Sequence, residues 1–544
     1  MSVTDEQFYD VVVIGFGGAG ACAAIEAAEA GRSVLVLDRF YGGGATVLSG
    51  GVVYAGGGTA QQKEAGVEDT PENMLAYLRA EVAGAVSEET LRDFAYGSRE
   101  MIDWLERHGA EFDGSLCPYK TSYPTNRHYL YFSGNEQVRS DVAVPAPRGH
   151  RVRARNFSGK ALFTALHESA VRAGVEIRPL ATARRLLVED GAVVGVEFTA
   201  PAAGASVRGG HAALTGAAHK MTNWYPPIGR LLHRLAALSS PRTRTWRVRA
   251  GGVVLSGGGY AHDDAFLRQH APQFLGLGPL GTVGDDGSAI RLGTAVGGAL
   301  GHMSGASGWR FVSPPSGFAR GVLVGGDGTR VGNEQLYGAT LSESLIRDHG
   351  ARGFLVVGDD AWRAARAQVR EQAAFFNLPQ LLYWFSPLGH VTADDPAELA
   401  AAIGVDAAAL HDTLTGYDLA IQKGEPDPHG KHDELRTPLL GAGPLRAIDC
   451  SAGTPAVVPF PFMTLGGLVV EERTGALRRS DGSVVPGVYA AGRSAVGLCS
   501  ASYVSGLSLA DAVYSGRRAG RHAAQAAPGR AGRTTGAVVR HTEP

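Results

Sequence analysis

Apolar positions come in short runs punctuated by glycine. Residues 10–14, DVVVI, predict a buried strand; GFGGAG then turns into an alanine-rich helix over 19–30 that stops at Gly31, and SVLVLD predicts a second strand. Strand, helix and strand within about 30 residues make a β-α-β unit. The 158–174 stretch, SGKALFTALHESAVRAG, has the spacing of an amphipathic helix, and 175–198 predicts strands turning at Asp190-Gly191. VVLSGGG (253–259) predicts another buried strand, and GDDGSAIRLGTAVGGAL (284–300) a helix. The pattern returns late in the chain, with a hairpin at 481–483, a strand at 487–492 and a closing helix at 507–525.

These runs divide the chain. Residues 1–300 form a first part and 463–526 resume its pattern; 301–462, aromatic-rich and without dinucleotide-type loops, predicts a separate substrate or cap domain. The 201–247 stretch is an insertion in which NWYPPIGRLLHRLAAL can form a short amphipathic helix with a basic polar face. It reads as a surface excursion, with contact to a membrane surface as the second reading. Residues 527–544 read as a disordered tail.

Composition narrows the class. The chain has 544 residues, 44% hydrophobic and 19% charged, with 51 basic against 53 acidic side chains and a net charge of −2. Such a balance has no field to gather nucleic acid, so a small apolar ligand is expected. Four scattered cysteines without a C-x-x-C pair suggest neither a disulfide framework nor zinc, and no metal site is read from the histidines. No spanning run or leader pattern is found, and a cytoplasmic location is expected.

Gly15, Gly17, Gly18, Ala19 and Gly20 follow a strand and open a helix: a tight turn, a close approach to a pyrophosphate and a helix packed on its strand. Asp38, followed by Arg39, ends the next strand, where an acid accepts ribose hydrogen bonds. Three further glycine-rich loops suit a flavin: Gly44, Ala45, Thr46, Ser49, Gly50 and Gly51; Ser256, Gly257 and Gly258; and Gly492 with Arg493. Ser508 and Leu509 join this set at the start of the last helix, which Ser508 is also placed to cap.

At these residues the chain resembles the FAD-containing fumarate reductase and 3-ketosteroid dehydrogenase flavoprotein superfamily. The resemblance implies an α/β fold with a discontinuous, Rossmann-like FAD-binding domain (GR2-type) and an inserted α+β catalytic cap domain. Gly338 stands where fumarate reductases carry a proton-donating arginine, and Met463 where they place a substrate-binding histidine. Gly44 replaces the histidine that anchors FAD covalently in some relatives, so non-covalent FAD is implied. GDDGSAIRLG, NEQLYGAT and S-Y-V-S-G are most similar to the 3-ketosteroid Δ4-(5α)-dehydrogenase branch, which implies catalytic hydroxyls at Tyr337, Tyr503 and Ser505.

The chemistry asks for such groups. Desaturating a ketone removes an α-proton, stabilises an enolate and passes a β-hydride to flavin N5. A phenol that stays protonated at neutral pH can polarise the carbonyl, here Tyr503 helped by backbone N–H groups of the following turn. Ser505 and Tyr337 then form a proton relay, in which a tyrosine acts as base if the site lowers its pKa, and the sequence is equally compatible with these roles exchanged. The plainer alternative makes Tyr503 a satisfied core tyrosine and Ser505 a helix cap. Tyr119, Tyr123, Tyr129, Trp309 and Tyr383 are candidates for an apolar lining. The expected activity is FAD-dependent desaturation of a ring ketone, with a 5α-3-ketosteroid as substrate and an unidentified electron acceptor. Rival readings are an enone reductase, a desaturase of another apolar cyclic ketone, and an electron-transfer flavoprotein subunit.

Overall fold

Val11, Val12 and Val13 have no exposed surface. Val11 and Val13 pack into one apolar cluster and Val12 and Ile14 into another, on opposite faces of their strand. A strand buried on both faces belongs in the middle of a parallel sheet. In the computed structural model, which describes residues 7–201, 210–310, 312–441, 443–453 and 460–527, that is where Gln7–Ile14 lies. Glu176–Arg178, Val34–Leu37, Gln7–Ile14, Thr243–Leu255 and Val484–Ala490 succeed one another across the sheet, all parallel, and Ala476–Arg478 adds an antiparallel edge. The result is a mixed α/β fold around a parallel sheet.

Thr243–Leu255 serves three partners. Its first half pairs antiparallel with Ala192–Pro201, and its second half pairs parallel with the central strands. The expected turn between Thr182–Glu189 and Ala192–Pro201 is at Asp190 (φ 48°) and Gly191 (φ 79°), the left-handed pair a two-residue hairpin requires.

The Gly18–Glu29 helix runs under the sheet against the closing helix Leu507–Ala526. Their axes approach closely because a Cβ on Gly516 would lie 2.4 Å from the Ala19 carbonyl oxygen, and one on Gly520 2.2 Å from that of Ala23. A second, antiparallel sheet of Val322–Gly325, Gly353–Val357, Leu445–Asp449 and His390–Ala393 is flanked by the helices Asp359–Gln372, Pro396–Ile403 and Ala407–Lys423. It has its own core around Val322, Val356, Leu399 and Leu414.

Three expectations change. The helix expected over 284–300 is only Ser288–Thr294: Gly287 (φ 73°) delays its start, Gly297 (φ 92°) turns the chain away, and Leu300–Gly301 is already a strand. The insertion is a hairpin of two helices, Gly210–Trp224 and Pro226–Leu238, and it lies over the large cavity at the edge of the parallel sheet rather than apart from it. Ser508 does not cap the last helix: Gly506 (φ 93°) is its N-cap, leaving Ser508 inside the first turn. The tail expected over 527–544 falls outside the described residues except for Ala527, which is buried.

Candidate active site

Strand register brings the glycine loops together. Ile14 pairs with Leu37 and Leu255, and Leu255 pairs with Ala490, so four strands end at one edge. The segments leaving these four strand ends, Gly15–Ala19, Asp38–Phe40, Ser256–Gly258 and Ala491–Arg493, line a single cavity of about 1170 Å³. Gly42 and the stretch from Gly44 to Gly51 line it too, as do Ser508 and Leu509; Gly20 packs behind. Ligands of open parallel sheets sit at such carboxyl-terminal edges.

The loop geometry is fixed by close contacts. Gly15 has φ 96° and a Cβ there would meet the Ser256 carbonyl oxygen at 2.6 Å. The Ser256 hydroxyl donates to the carbonyls of Ile14 and Gly15, at 3.0 Å each. A Cβ on Gly17 would meet nothing nearer than 3.9 Å, so the backbone there is open to the cavity. Asp38 accepts from the amides of Phe16 (2.9 Å), Phe40 (2.8 Å) and Gly42 (3.0 Å). A carboxylate accepts about four hydrogen bonds, so one acceptor position remains for a ribose hydroxyl.

Arg493 follows the last of the four strand ends and lines the cavity. Its partner is Asp285, at 2.6 Å with both side chains largely buried. Asp285 also accepts from the amides of Gly259 and Thr282, both at 3.1 Å. Arg493 keeps Nη1 buried without a protein partner, and so does Trp309 with Nε1; both residues line the cavity. Open glycine backbone at a helix N-terminus, one spare carboxylate position and unpaired buried donors together fit a dinucleotide cofactor.

The other end of the cavity holds the hydroxyls. Val504 is fully buried, and the residues on either side of it, Tyr503 and Ser505, line the cavity. The turn is pinned where the Tyr54 amide donates to the Gly506 carbonyl at 3.1 Å. Tyr503 is half-buried between the rings of Trp309 (5.5 Å) and Tyr337 (6.2 Å). Tyr337 caps the start of the Gly338–Asp348 helix, with its amide donating to Asn135 Oδ1 at 2.7 Å. The segment before it is held by Glu334, buried with Arg330 (2.7 Å) and Lys431 (3.1 Å).

A fourth hydroxyl was not singled out from the sequence. The Tyr131 phenol, fully buried, lies 3.1 Å from Ser505 Oγ, and the Ser133 hydroxyl donates to the Ser505 carbonyl at 2.9 Å. Ser505 also eases ionisation of the Tyr337 phenol, so the hydroxyls line up in the order Tyr337, Ser505, Tyr131. The every-second-residue spacing of Tyr129, Tyr131 and Ser133 was the available signal. Of the candidate lining aromatics, Tyr123 and Trp309 face the cavity, joined by Phe157, Phe375 and Phe376; Tyr119, Tyr129 and Tyr383 do not. The hairpin contributes His219, Lys220, Asn223 and Tyr225.

Protonation runs against one expectation. Burial pushes the phenols of Tyr337 and Tyr131 well above the usual tyrosine range, and Ser505 offsets only part of it. Tyr503 is raised too, chiefly by burial, while the Gly506 amide directed at its oxygen and Arg493 pull the other way. No tyrosine here has the lowered pKa that the base reading required. The row starts as neutral hydroxyls, each able to accept a proton only by passing one on.

The FAD binding domain family model matches residues 10–509. The 3-oxo-5-alpha-steroid 4-dehydrogenase of Comamonas testosteroni is 37% identical over 500 residues, spanning 89% of this chain and 92% of that protein. A fumarate reductase (cytochrome) of Shewanella frigidimarina is 23% identical over 527 residues, covering 95% of this chain and 77% of that one. Among solved structures, the 3-ketosteroid-Δ4-(5α)-dehydrogenase of Rhodococcus jostii RHA1, in complex with 4-androstene-3,17-dione, superposes with a TM-score of 0.80 at 30% identity, covering 96% of this chain and 98% of that one.

Proposed function

The chain belongs to the FAD binding domain family, and on that premise we propose that it is an FAD-dependent oxidoreductase that desaturates the C4–C5 bond of 5α-3-ketosteroids. The observation that carries this reading is the hydroxyl row opening on the same cavity as the glycine loops. Kinship with the Comamonas and Rhodococcus proteins supports the substrate class.

In this reading the discontinuous, Rossmann-like parts of the chain hold the cofactor and the Val322–Asp449 sheet with its helices is the inserted cap. Gly15–Ala19, Asp38, the 42–51 loop, Ser256–Gly258 and Arg493 would hold the cofactor, without a covalent bond, since Gly44 offers no side chain. FAD, when bound, supplies the two-electron acceptor that takes the substrate's β-hydride.

Tyr503 donates to the ketone oxygen, and the Gly506 amide, directed at the Tyr503 oxygen, supports that donor. Its raised pKa keeps Tyr503 protonated at neutral pH, so it is a hydrogen-bond donor whose bond strengthens as negative charge grows on that oxygen. Ser505 takes the α-proton while releasing its own to Tyr337 or Tyr131, and the accepting phenol passes its own proton on in the same step, out of the row to solvent. Arg151, whose guanidinium carbon lies 4.8 Å from the Tyr123 ring centroid and which also favours ionisation of Tyr131, biases the inner end of the row toward giving up a proton. Trp309, Phe157, Phe375 and Phe376 provide apolar walls that exclude water from the developing enolate.

Anaerobic mixing of the flavin-loaded enzyme with a 5α-3-ketosteroid should bleach the flavin absorbance, with formation of the Δ4-3-ketone. A dithionite-reduced enzyme reoxidised by fumarate, with no bleaching by any 5α-3-ketosteroid, would overturn the proposal.

A further inference from the structure

The Pro226–Leu238 helix of the insertion turns an apolar row outward. Ile228, Leu231, Leu235 and Leu238, spaced by three, four and three residues, are 43%, 55%, 44% and 85% exposed. That spacing is one face of a helix. The opposite face is the one that packs: Ala236 is buried, and a Cβ on Gly229 would lie 2.5 Å from the Thr222 backbone on the other arm of the hairpin.

Charge on the hairpin itself has one sign. Arg230 and Arg234 are exposed on the same helix, beside the apolar row, and Lys220 is exposed on the other arm. The sequence has no Asp or Glu between Glu197 and Asp263, although the whole chain carries a net charge of −2. The row also adjoins the cavity. Tyr225, immediately before the helix, and Phe375 both line the cavity and are both exposed, so they stand at its mouth.

We infer that this helix face docks the enzyme on an anionic lipid bilayer, lying in the headgroup region with its leucines inward and its arginines against lipid phosphates. A helix with an apolar row and basic flank has that binding chemistry. A second copy of the chain is the poorer occupant, because it would press two carboxylate-free basic surfaces together. No helix among the described residues is long and apolar enough to cross a membrane. The purpose of the contact, delivery of a bilayer-dissolved apolar ketone to the mouth beside Tyr225, rests on the proposed substrate; the binding itself does not.

The test is co-sedimentation of the flavin-loaded enzyme with vesicles of phosphatidylcholine alone or mixed with phosphatidylglycerol. The enzyme should pellet with the mixed vesicles and be released by salt. Leu231→Glu with Leu235→Glu should weaken binding about tenfold or more, and Arg230→Gln with Arg234→Gln should abolish the preference for the anionic lipid. All four positions face outward, and retained flavin absorbance and melting temperature verify that the variants fold. Wild type that stays in the supernatant with both vesicle types would overturn the inference, as would binding indifferent to salt and to both variants. Self-association abolished by the leucine changes, without vesicle binding, would assign the face to a second copy and overturn it equally. Because pelleted protein is the readout, failure of steroid turnover and failure of membrane docking are separate results.

Discussion

The phenol of Tyr131 lies 3.1 Å from the hydroxyl of Ser505, joining two residues 374 positions apart in the chain. The contact turns a serine beside one tyrosine into the middle of a row of three hydroxyls. If the row carries the α-proton, Ser505 is needed for the first transfer and each tyrosine offers it an outlet. Ser505→Ala and Tyr337→Phe should slow anaerobic flavin reduction by about 10²- to 10⁴-fold with FAD still bound. Tyr131→Phe, which keeps the packing and removes only the inner hydroxyl, should cost about 10-fold or more and alter the pH dependence of the reductive step. Stopped-flow absorbance reads all three; wild-type rates in Tyr131→Phe would remove that residue from the row.

In the proposed mechanism Tyr503 has a different task, so its loss should look different. Tyr503→Phe removes a donor to the ketone oxygen and leaves the relay in place; the expected loss is about 10²- to 10³-fold in the reductive rate, the range seen when one such donor is deleted. Because the ring still packs against Trp309 and Tyr337, the binding of a product-like enone, tracked by flavin spectral shift, should change by less than about 10-fold. A variant that reduces flavin normally would return Tyr503 to the role of a core tyrosine.

Arg493 and Asp285 form a largely buried pair at 2.6 Å. Removing one partner leaves the other charge buried alone, which costs about 3–5 kcal/mol. Arg493→Met should therefore lower the melting temperature and release FAD, both measurable by flavin fluorescence on heating. Arg493→Met with Asp285→Asn should recover much of the melting temperature but not the cofactor, because the unpaired Arg493 Nη1 that faces the cavity is still missing.

Asp511, on the closing helix, titrates in an accessible range. Burial pushes its carboxyl from 3.8 up to about 6, against the opposing pull of Arg518 and the Leu498 amide. A folded-state pKa above the unfolded one means the folded protein holds the proton more tightly. The associated stability is complete below the unfolded pKa and is lost as pH rises from about 4 to about 6. Asp511→Asn, which keeps an acceptor for the Leu498 amide, should be more stable than wild type by about 2–3 kcal/mol at neutral pH, with the advantage fading as pH falls through that window. Denaturant melts at several pH values check this, and an advantage independent of pH would refute it.

The features legible along the chain were those its chemistry fixes locally. DVVVI with the GFGGAG turn after it, the Asp190-Gly191 turn and the closing helix each depend on neighbours within a few residues, and each is where the sequence put it. The 284–300 helix was overread because apolar spacing outweighed the positive-φ glycines at Gly287 and Gly297 that bound it. Ser508 was misread as a cap because a serine near a helix start suits that role, whereas Gly506 reaches the φ of 93° that this turn needs.

The sequence by itself determined the dinucleotide loops, the family they resemble and the candidate hydroxyls, because residue type and spacing carry that chemistry. Only the tertiary structure decided which of these meet. Parallel register aligned four strand ends into one cavity, the buried Glu334 cluster anchored the segment that ends at Tyr337, and Asp285 gave Arg493 its partner. Tyr131 joined Ser505, and the insertion proved to cover the cavity rather than stand apart from it. Such contacts depend on packing between segments hundreds of residues apart. Local pattern does not encode them, since a buried tyrosine reads the same whether its hydroxyl meets a core carbonyl or a catalytic serine.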